Sequence, residues 1–575
     1  MKRLLTIMRR YLKESILGPL FKLLEATLEL LVPLVVATII DVGVKNADVP
    51  YIVRMSLLLI GFSAVGLAFS ATAQFFAAKA SVGSVSELRH DLFAHLGKLS
   101  YAQIDRLGTS TMITRITSDA NQVQQGVNLT LRLLLRSPFV VFGAMIVAFT
   151  IDVPLALIFA LTIPVLSLIV FGIMLVSIPL YRKVQAKLDS VFRLTKENLA
   201  GARVLRAFCK EDEECTEYLE TNNELTHRQT FVGRITALQS PLTYVVVNLA
   251  IVALIWCGAL KVDGGALSQG AVVALYNLMG QILIELVKLA NLIVTITKSV
   301  ASANRIDAVF AIVPDEGAVE EPDTVEGAAL VRFEDASLTY PDAGEQALSH
   351  ISFEAKRGQT IGIIGGTGSG KSTLVHMLAG FYPPSEGRVL IDGADIGSYP
   401  NDCLRKKIGI VMQKAVLFSG TVRENLTMNA EAISDEELYE VLRIAQADGV
   451  VRDKGGLDAR IEQGGRNLSG GQRQRLSIAR TLASKPEILI LDDSASALDL
   501  ATDKALREAL RELRGTTMFI VSQRAASIMH ADLILTLDDG ELVGCGTHGE
   551  LLASCEVYRE IYESQFGKEK CPNEA

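Results

Sequence analysis

The chain has 575 residues, 49% of them hydrophobic, and a formal net charge of −8. A mean hydropathy of +0.32 at this length predicts a membrane protein of several domains whose apolar residues come in long blocks. The acidic balance argues against a nucleic-acid partner. Seven cysteines (Cys209, Cys215, Cys257, Cys403, Cys545, Cys555 and Cys571) contain no C-x-x-C pair, so they read as reduced thiols and not as a disulfide framework or zinc site.

The opening residues, MKRLLTIMRRYLK, alternate basic with apolar side chains. This is not the pattern of a signal peptide; it predicts an amphipathic helix on the cytoplasmic membrane surface. Six segments then have the length and apolarity of a span: 17–40, 55–80, 133–151, 154–180, 243–260 and 271–296. They exclude a soluble enzyme. The connections alternate short and long. The long ones, 81–132 and 181–242, carry most of the cations (Arg89, Lys98, Arg106 and Arg115 in the first; Arg182, Lys187, Arg203 and Arg206 in the second). The positive-inside rule therefore places both termini and both long connections in the cytoplasm. Structureless loops of that length are rare, so the spans are expected to continue as helices beyond the bilayer.

Three carboxylates fall inside the spans: Glu25, Glu29 and Glu285. A charge at mid-bilayer costs roughly 2.5–3.5 kcal/mol on insertion scales. These groups therefore either line a cavity for cationic or amphipathic compounds, lie at the interface, or pair within the bundle, as Glu285 could with Lys288. The transmembrane domain is assigned to 1–310. An acidic, Pro- and Gly-containing linker covers 311–329, and from 330 to 575 β-rich and helical runs alternate as in an α/β domain.

Residues 363–373, IIGGTGSGKST, fit G-x-x-x-x-G-K-[ST] between an apolar strand and an apolar helix. Gly365, Gly366, Thr367, Gly368, Ser369 and Gly370 would wrap phosphates with backbone N–H groups. Lys371 would reach the β- and γ-phosphates of ATP, Ser372 would ligate Mg²⁺, and Thr373 follows in the helix. Downstream, Ile488 to Leu491 run into Asp492, the pattern of a buried strand ending in a magnesium-binding carboxylate.

NLSGGQRQRLSIAR (467–480) is a second and more specific motif. With it the whole chain resembles an exporter half of the ATP-binding cassette (ABC) superfamily: an all-α domain of six spans followed by one α/β P-loop cassette. The resemblance implies that Tyr340 stacks on adenine and that Gln413 senses Mg²⁺. It implies that Ser469, Gly470, Gly471 and Gln472 complete the ATP site of an opposite subunit, and that Asp499 links the two sites. It also implies that short helices near 117–124 and 206–214 touch the cassettes, and that the chain works with a second half-transporter.

Two positions depart from the family pattern. Asp493 stands where the resemblance implies a catalytic Glu, and Gln523 stands where it implies a His. Asp withdraws the carboxylate by about one C–C bond, and a displacement of roughly 1 Å can cost about 10²-fold in rate. An amide cannot carry the charge of an imidazolium. The signature also lacks the Glu that many exporters place before it, Gln463 standing near that position. Together these features resemble the degenerate-site subunit of bacterial heterodimeric multidrug exporters, moving hydrophobic or amphipathic compounds. A homodimeric exporter with Asp at the catalytic position, and an ATP-gated membrane regulator, fit the same motifs. Neither the substrate nor the direction of transport is written in them.

Overall fold

The computed structural model describes residues 2–315, 321–325, 327–341, 343–428, 433–513 and 515–566. Cys571 and parts of the acidic linker (316–320 and 326) lie outside the described residues. Two compact units form: residues 1–97 with 110–312, and residues 98–109 with 313–575.

The first unit is built of six long apolar helices: Arg3–Val44, Val49–Leu96, Thr109–Ile151, Val153–Ala200, Glu211–Asp263 and Gln269–Phe310. The second and fourth have 48 residues each. At 1.5 Å per residue that is about 72 Å, more than twice the hydrocarbon thickness of about 30 Å. The long connections are thus continuations of the spans. Small residues bring the helices together: Ala26, Ala77, Ala144, Ala148 and Ala274 are fully buried. A Cβ at Gly270 would stand 2.2 Å from the Ala37 carbonyl oxygen.

The opening residues form the helix Lys2–Met8. Leu4 and Ile7 are buried in the protein. The Arg3 guanidinium lies 3.9 Å from the Phe310 ring centroid, and Arg10 pairs with Glu87 at 3.0 Å. An amphipathic pattern specifies an apolar face but not what covers it; here the second and sixth helices do.

The carboxylates within the spans are paired. Lys22 Nζ donates to Glu25 at 2.5 Å and to Ser70 at 3.1 Å. Arg136 donates through Nη1 to Glu285 (2.5 Å) and through Nη2 to Glu29 (2.6 Å). Glu285 also accepts from Ser137 Oγ and Lys288 Nζ, each at 2.8 Å. Arg136, which sequence reasoning passed over, therefore ties the first, third and sixth helices together.

In the second unit the strands are β1 (Val331–Leu338), β2 (Leu348–Ala355), β3 (Thr360–Gly365), β4 (Glu386–Ile391), β5 (Ala394–Asp395), β6 (Ile408–Val411), β7 (Gly420–Thr421), β8 (Arg460–Ile461), β9 (Ile488–Asp492), β10 (Thr517–Val521), β11 (Leu533–Asp538) and β12 (Glu541–Gly546). They form an antiparallel sheet β2-β1-β4-β5, a six-stranded sheet β12-β11-β3-β10-β9-β6 and the pair β7-β8. In the six-stranded sheet all neighbours pair in parallel except β11 and β12. β9 is buried along its whole length, which is why its sequence is an unbroken apolar run.

Residues 98–109 belong to this unit although the sequence division assigned them to the membrane domain. They form the helix Tyr101–Leu107, started by a Ser100/Gln103 capping box. Tyr101 stacks on Phe381 with centroids 4.2 Å apart, Gln103 Nε2 donates to the Val313 carbonyl at 2.8 Å, and the Tyr382 hydroxyl donates to Asp105. Residues 117–124 lie in the first unit, where Asp119 accepts from Arg115 and Arg305.

Candidate nucleotide site

Parallel strands deliver their carboxyl ends to one edge of the six-stranded sheet, and at that edge the loops after β3, β6, β9, β10 and β11 converge. They enclose a cavity of about 300 Å³ lined by Thr367, Gly368, Gly370, Lys371, Ser372, Thr373, Gln413, Asp492, Asp493, Ser522 and Gln523, with Gln346, Ala347, Val521, Asp539 and Gly540. The last five carry no motif. Val521 ends β10, Asp539 and Gly540 follow β11, which pairs with β3, and Ala347, next to Gln346, lies against both Gly370 and Gly540.

β3 ends at Gly365 and the helix Lys371–Leu378 begins six residues later. A Cβ at Gly370, where φ is +92°, would meet the Ala347 carbonyl at 2.9 Å, while a Cβ at Gly366 or Gly368 would meet nothing within 4 Å. The loop is thus fixed at its end and open in its middle, where a phosphate would approach. Lys371 Nζ bends back over it, donating to the Gly365 carbonyl at 3.0 Å, to Ser369 Oγ at 3.3 Å and to the Gly366 carbonyl. Burial lowers the Lys371 pKa, with Asp493 and Asp492 opposing.

Ser372 Oγ donates to Asp492 Oδ1 at 3.1 Å. Burial raises the Asp492 pKa against the Ser372 hydroxyl. A hydroxyl and a buried carboxylate in contact are the hard oxygen donors that Mg²⁺ prefers, so the residues fit that ion. His376, about one turn further along the same helix, points Nε2 at Asp492 Oδ2 from 4.0 Å, and this buried nitrogen has no hydrogen-bond partner among the described residues. No motif marked it.

Asp493 follows with φ of +44°. Its N–H donates to the Val521 carbonyl at 3.1 Å, and its Oδ2 accepts from Gln413 Nε2 at 3.4 Å. The carboxylate is therefore held toward Gln413, and Gln523 lines the same cavity from the end of β10. Tyr340 stands beside the cavity, its hydroxyl donating to Thr373 Oγ1 at 3.2 Å and its ring meeting Tyr382 edge-on at 4.9 Å.

Ser469, Gly470, Gly471 and Gln472 do not line this cavity. Ser469 caps the helix Gly470–Ala483 in a capping box with Gln472, leaving the positive end of a 14-residue helix for an anion from elsewhere. A Cβ at Gly471 would stand 3.0 Å from the Ala497 carbonyl. Asp499 caps the helix Leu500–Arg511 through the Thr502 N–H at 3.1 Å.

A phosphate loop at a strand end, a capped signature helix and six apolar helices define a multi-pass membrane transporter driven by an ATPase domain. Family models agree: residues 15–286 match the ABC transporter transmembrane region and residues 348–496 match the ABC transporter model. The chain is 35% identical over 572 residues, covering 99% of both chains, to the uncharacterized ABC transporter ATP-binding protein YfiB of Bacillus subtilis (strain 168). It is 32% identical to the ATP-dependent lipid A-core flippase of Syntrophus aciditrophicus (strain SB), covering 85% of this chain and 82% of that one. The fold matches the structure of a bacterial Atm1-family ABC exporter with ATP bound, with a TM-score of 0.80, 22% identity and coverage of 98% and 100%. The chain belongs to the ABC transporter family, as an exporter-type half-transporter with one transmembrane region and one ATP-binding cassette.

Proposed function

We propose that this chain is the ATP-binding, weakly hydrolysing half of a heterodimeric exporter of hydrophobic or amphipathic compounds. The observation that carries the reading is the pair Asp493 and Gln523 at one cavity, with Asp493 drawn toward Gln413. A base one methylene short and an uncharged amide each weaken activation of water. Neither removes the phosphate loop, Lys371, Ser372 or Asp492, which hold ATP and Mg²⁺. Ser372, Gln413 and Asp492 would hold the ion, which supplies charge neutralisation between the phosphates. The intact LSGGQ helix N-terminus then serves the partner's site. The basic long connections support a cytoplasmic cassette and termini in the cytoplasmic membrane. Similarity to a flippase named for a lipid supports a lipid-like or amphipathic cargo.

A second reading, the homodimer, is favoured by the coexistence of the phosphate loop and LSGGQ in one chain, since two copies contain every motif of two sites. The test is ATP hydrolysis by this chain alone against the same chain co-purified with the product of its neighbouring transporter gene. High activity only in the pair supports the heterodimer. Equal, vigorous activity from the lone chain overturns it in favour of the homodimer.

A further inference from the structure

The C-terminal helix, Glu556–Phe566, lies outside every motif, yet its last turn reaches the nucleotide site. Gln565 Nε2 donates to the Gln523 carbonyl at 2.8 Å, and Gln565 Oε1 accepts from the Ala525 N–H at 2.8 Å. One amide therefore clamps the two peptide groups on either side of Arg524. The rest of the turn is also spoken for: the Ser522 N–H donates to the Ile363 carbonyl at 3.1 Å and the Arg524 N–H to Ser522 Oγ at 3.0 Å. Among the described residues, Gln565 is the one that binds the main chain of Gln523 itself from outside the turn.

The clamp rests on a fixed base. Tyr558 is fully buried, and its hydroxyl shares a hydrogen bond of 2.7 Å with His548 Nδ1. Arg559 donates to the Leu552 and Ala553 carbonyls at 2.8 and 3.0 Å. Ile561 and Tyr562 pack into a cluster with Ile364, Ala525 and Ile528. Ile364 immediately precedes Gly365, so the helix braces both the strand that feeds the phosphate loop and the turn that carries Gln523.

We propose that Gln565 is a positioning residue for Gln523, and that through it the C-terminal helix sets how strongly this site prefers ATP to ADP. The proposal rests on the reading that Gln523 faces the γ-phosphate. A side-chain amide at that place discriminates between nucleotides only if its backbone is held still, and two hydrogen bonds to adjacent peptide groups hold it.

The experiment uses the full chain in detergent and measures ATP and ADP dissociation constants, by displacement of a fluorescent nucleotide, together with the unfolding midpoint. Gln523→Ala, Gln565→Ala, Gln565→Glu and the double alanine variant are compared. Gln565→Ala is expected to lower the ATP-to-ADP affinity ratio roughly three- to tenfold, and Gln565→Glu, which keeps the acceptor for Ala525 but sets a carboxylate oxygen against the Gln523 carbonyl, at least as much. The double variant is expected to match Gln523→Ala alone. If Gln523→Ala lowers the ratio while Gln565→Ala leaves it, or weakens ATP and ADP equally, the proposal falls and the reading of Gln523 stands. If Gln523→Ala leaves the ratio unchanged, both fall.

Discussion

Arg136→Met tests whether the ion network within the spans is held by charge compensation. Arg136 and Glu285 are both buried, at 6% and 2% exposure. Removing one partner of a buried pair costs about 3–5 kcal/mol, because the remaining charge stays out of water. Glu285 retains two donors, Ser137 and Lys288, so the lower end, about 3 kcal/mol, applies. At about 2–4 °C per kcal/mol for a unit of this size, the unfolding midpoint should fall by about 6–12 °C. Replacing both charges, Arg136→Met with Glu285→Met, removes the orphan and should restore much of the loss. The assay is thermal unfolding of the detergent-solubilised chain followed by size-exclusion chromatography. A double variant as unstable as Arg136→Met, or a single variant with an unchanged midpoint, would refute the reasoning.

Other consequences follow from the cassette. Tyr382→Phe removes the hydrogen bond to Asp105 but keeps the ring against Tyr340. Nucleotide affinity should hold, while stimulation of ATPase activity by transported compound in the assembled transporter should drop severalfold. Ser469→Ala deletes a helix cap at a cost of about 1 kcal/mol; ATP binding by this chain should persist, while hydrolysis at the partner's site should be lost. Burial, aided by His530, lowers the His548 pKa. The folded state therefore disfavours the imidazolium, and the stability this gives is present above the unfolded value of about 6.5 and lost as pH falls through it. Protection of the Glu556–Phe566 helix, taken as the exchange rate relative to the intrinsic amide rate at each pH, should fall from pH 7.5 to 5.5, and His548→Asn should abolish that loss.

The spans and the phosphate loop were legible because each is written locally. An apolar run of about 20 residues and a glycine-rich turn need no distant partner to be recognised. The pairing of Glu285 with Lys288 was legible too, but the tie of Glu29 and Glu285 to Arg136 was not, because that cation comes from another helix; Arg136 meets Glu285 across 149 positions. The helix at 101–107 had a signal that went unused, Ser100 and Gln103 at capping-box spacing. His376 and Gln565 had none. An ordinary histidine inside an apolar helix and a glutamine near a chain end acquire meaning only when folding brings Asp492 and Gln523 beside them.

The central claim is that Asp493 and Gln523 limit hydrolysis and not binding. The most direct measurement is ATP turnover by the full chain at saturating ATP and Mg²⁺, comparing the natural sequence with Asp493→Glu combined with Gln523→His. The account predicts a rise of about 10²-fold or more in turnover with little change in ATP affinity. A natural chain that already turns over as fast as the double variant would contradict it.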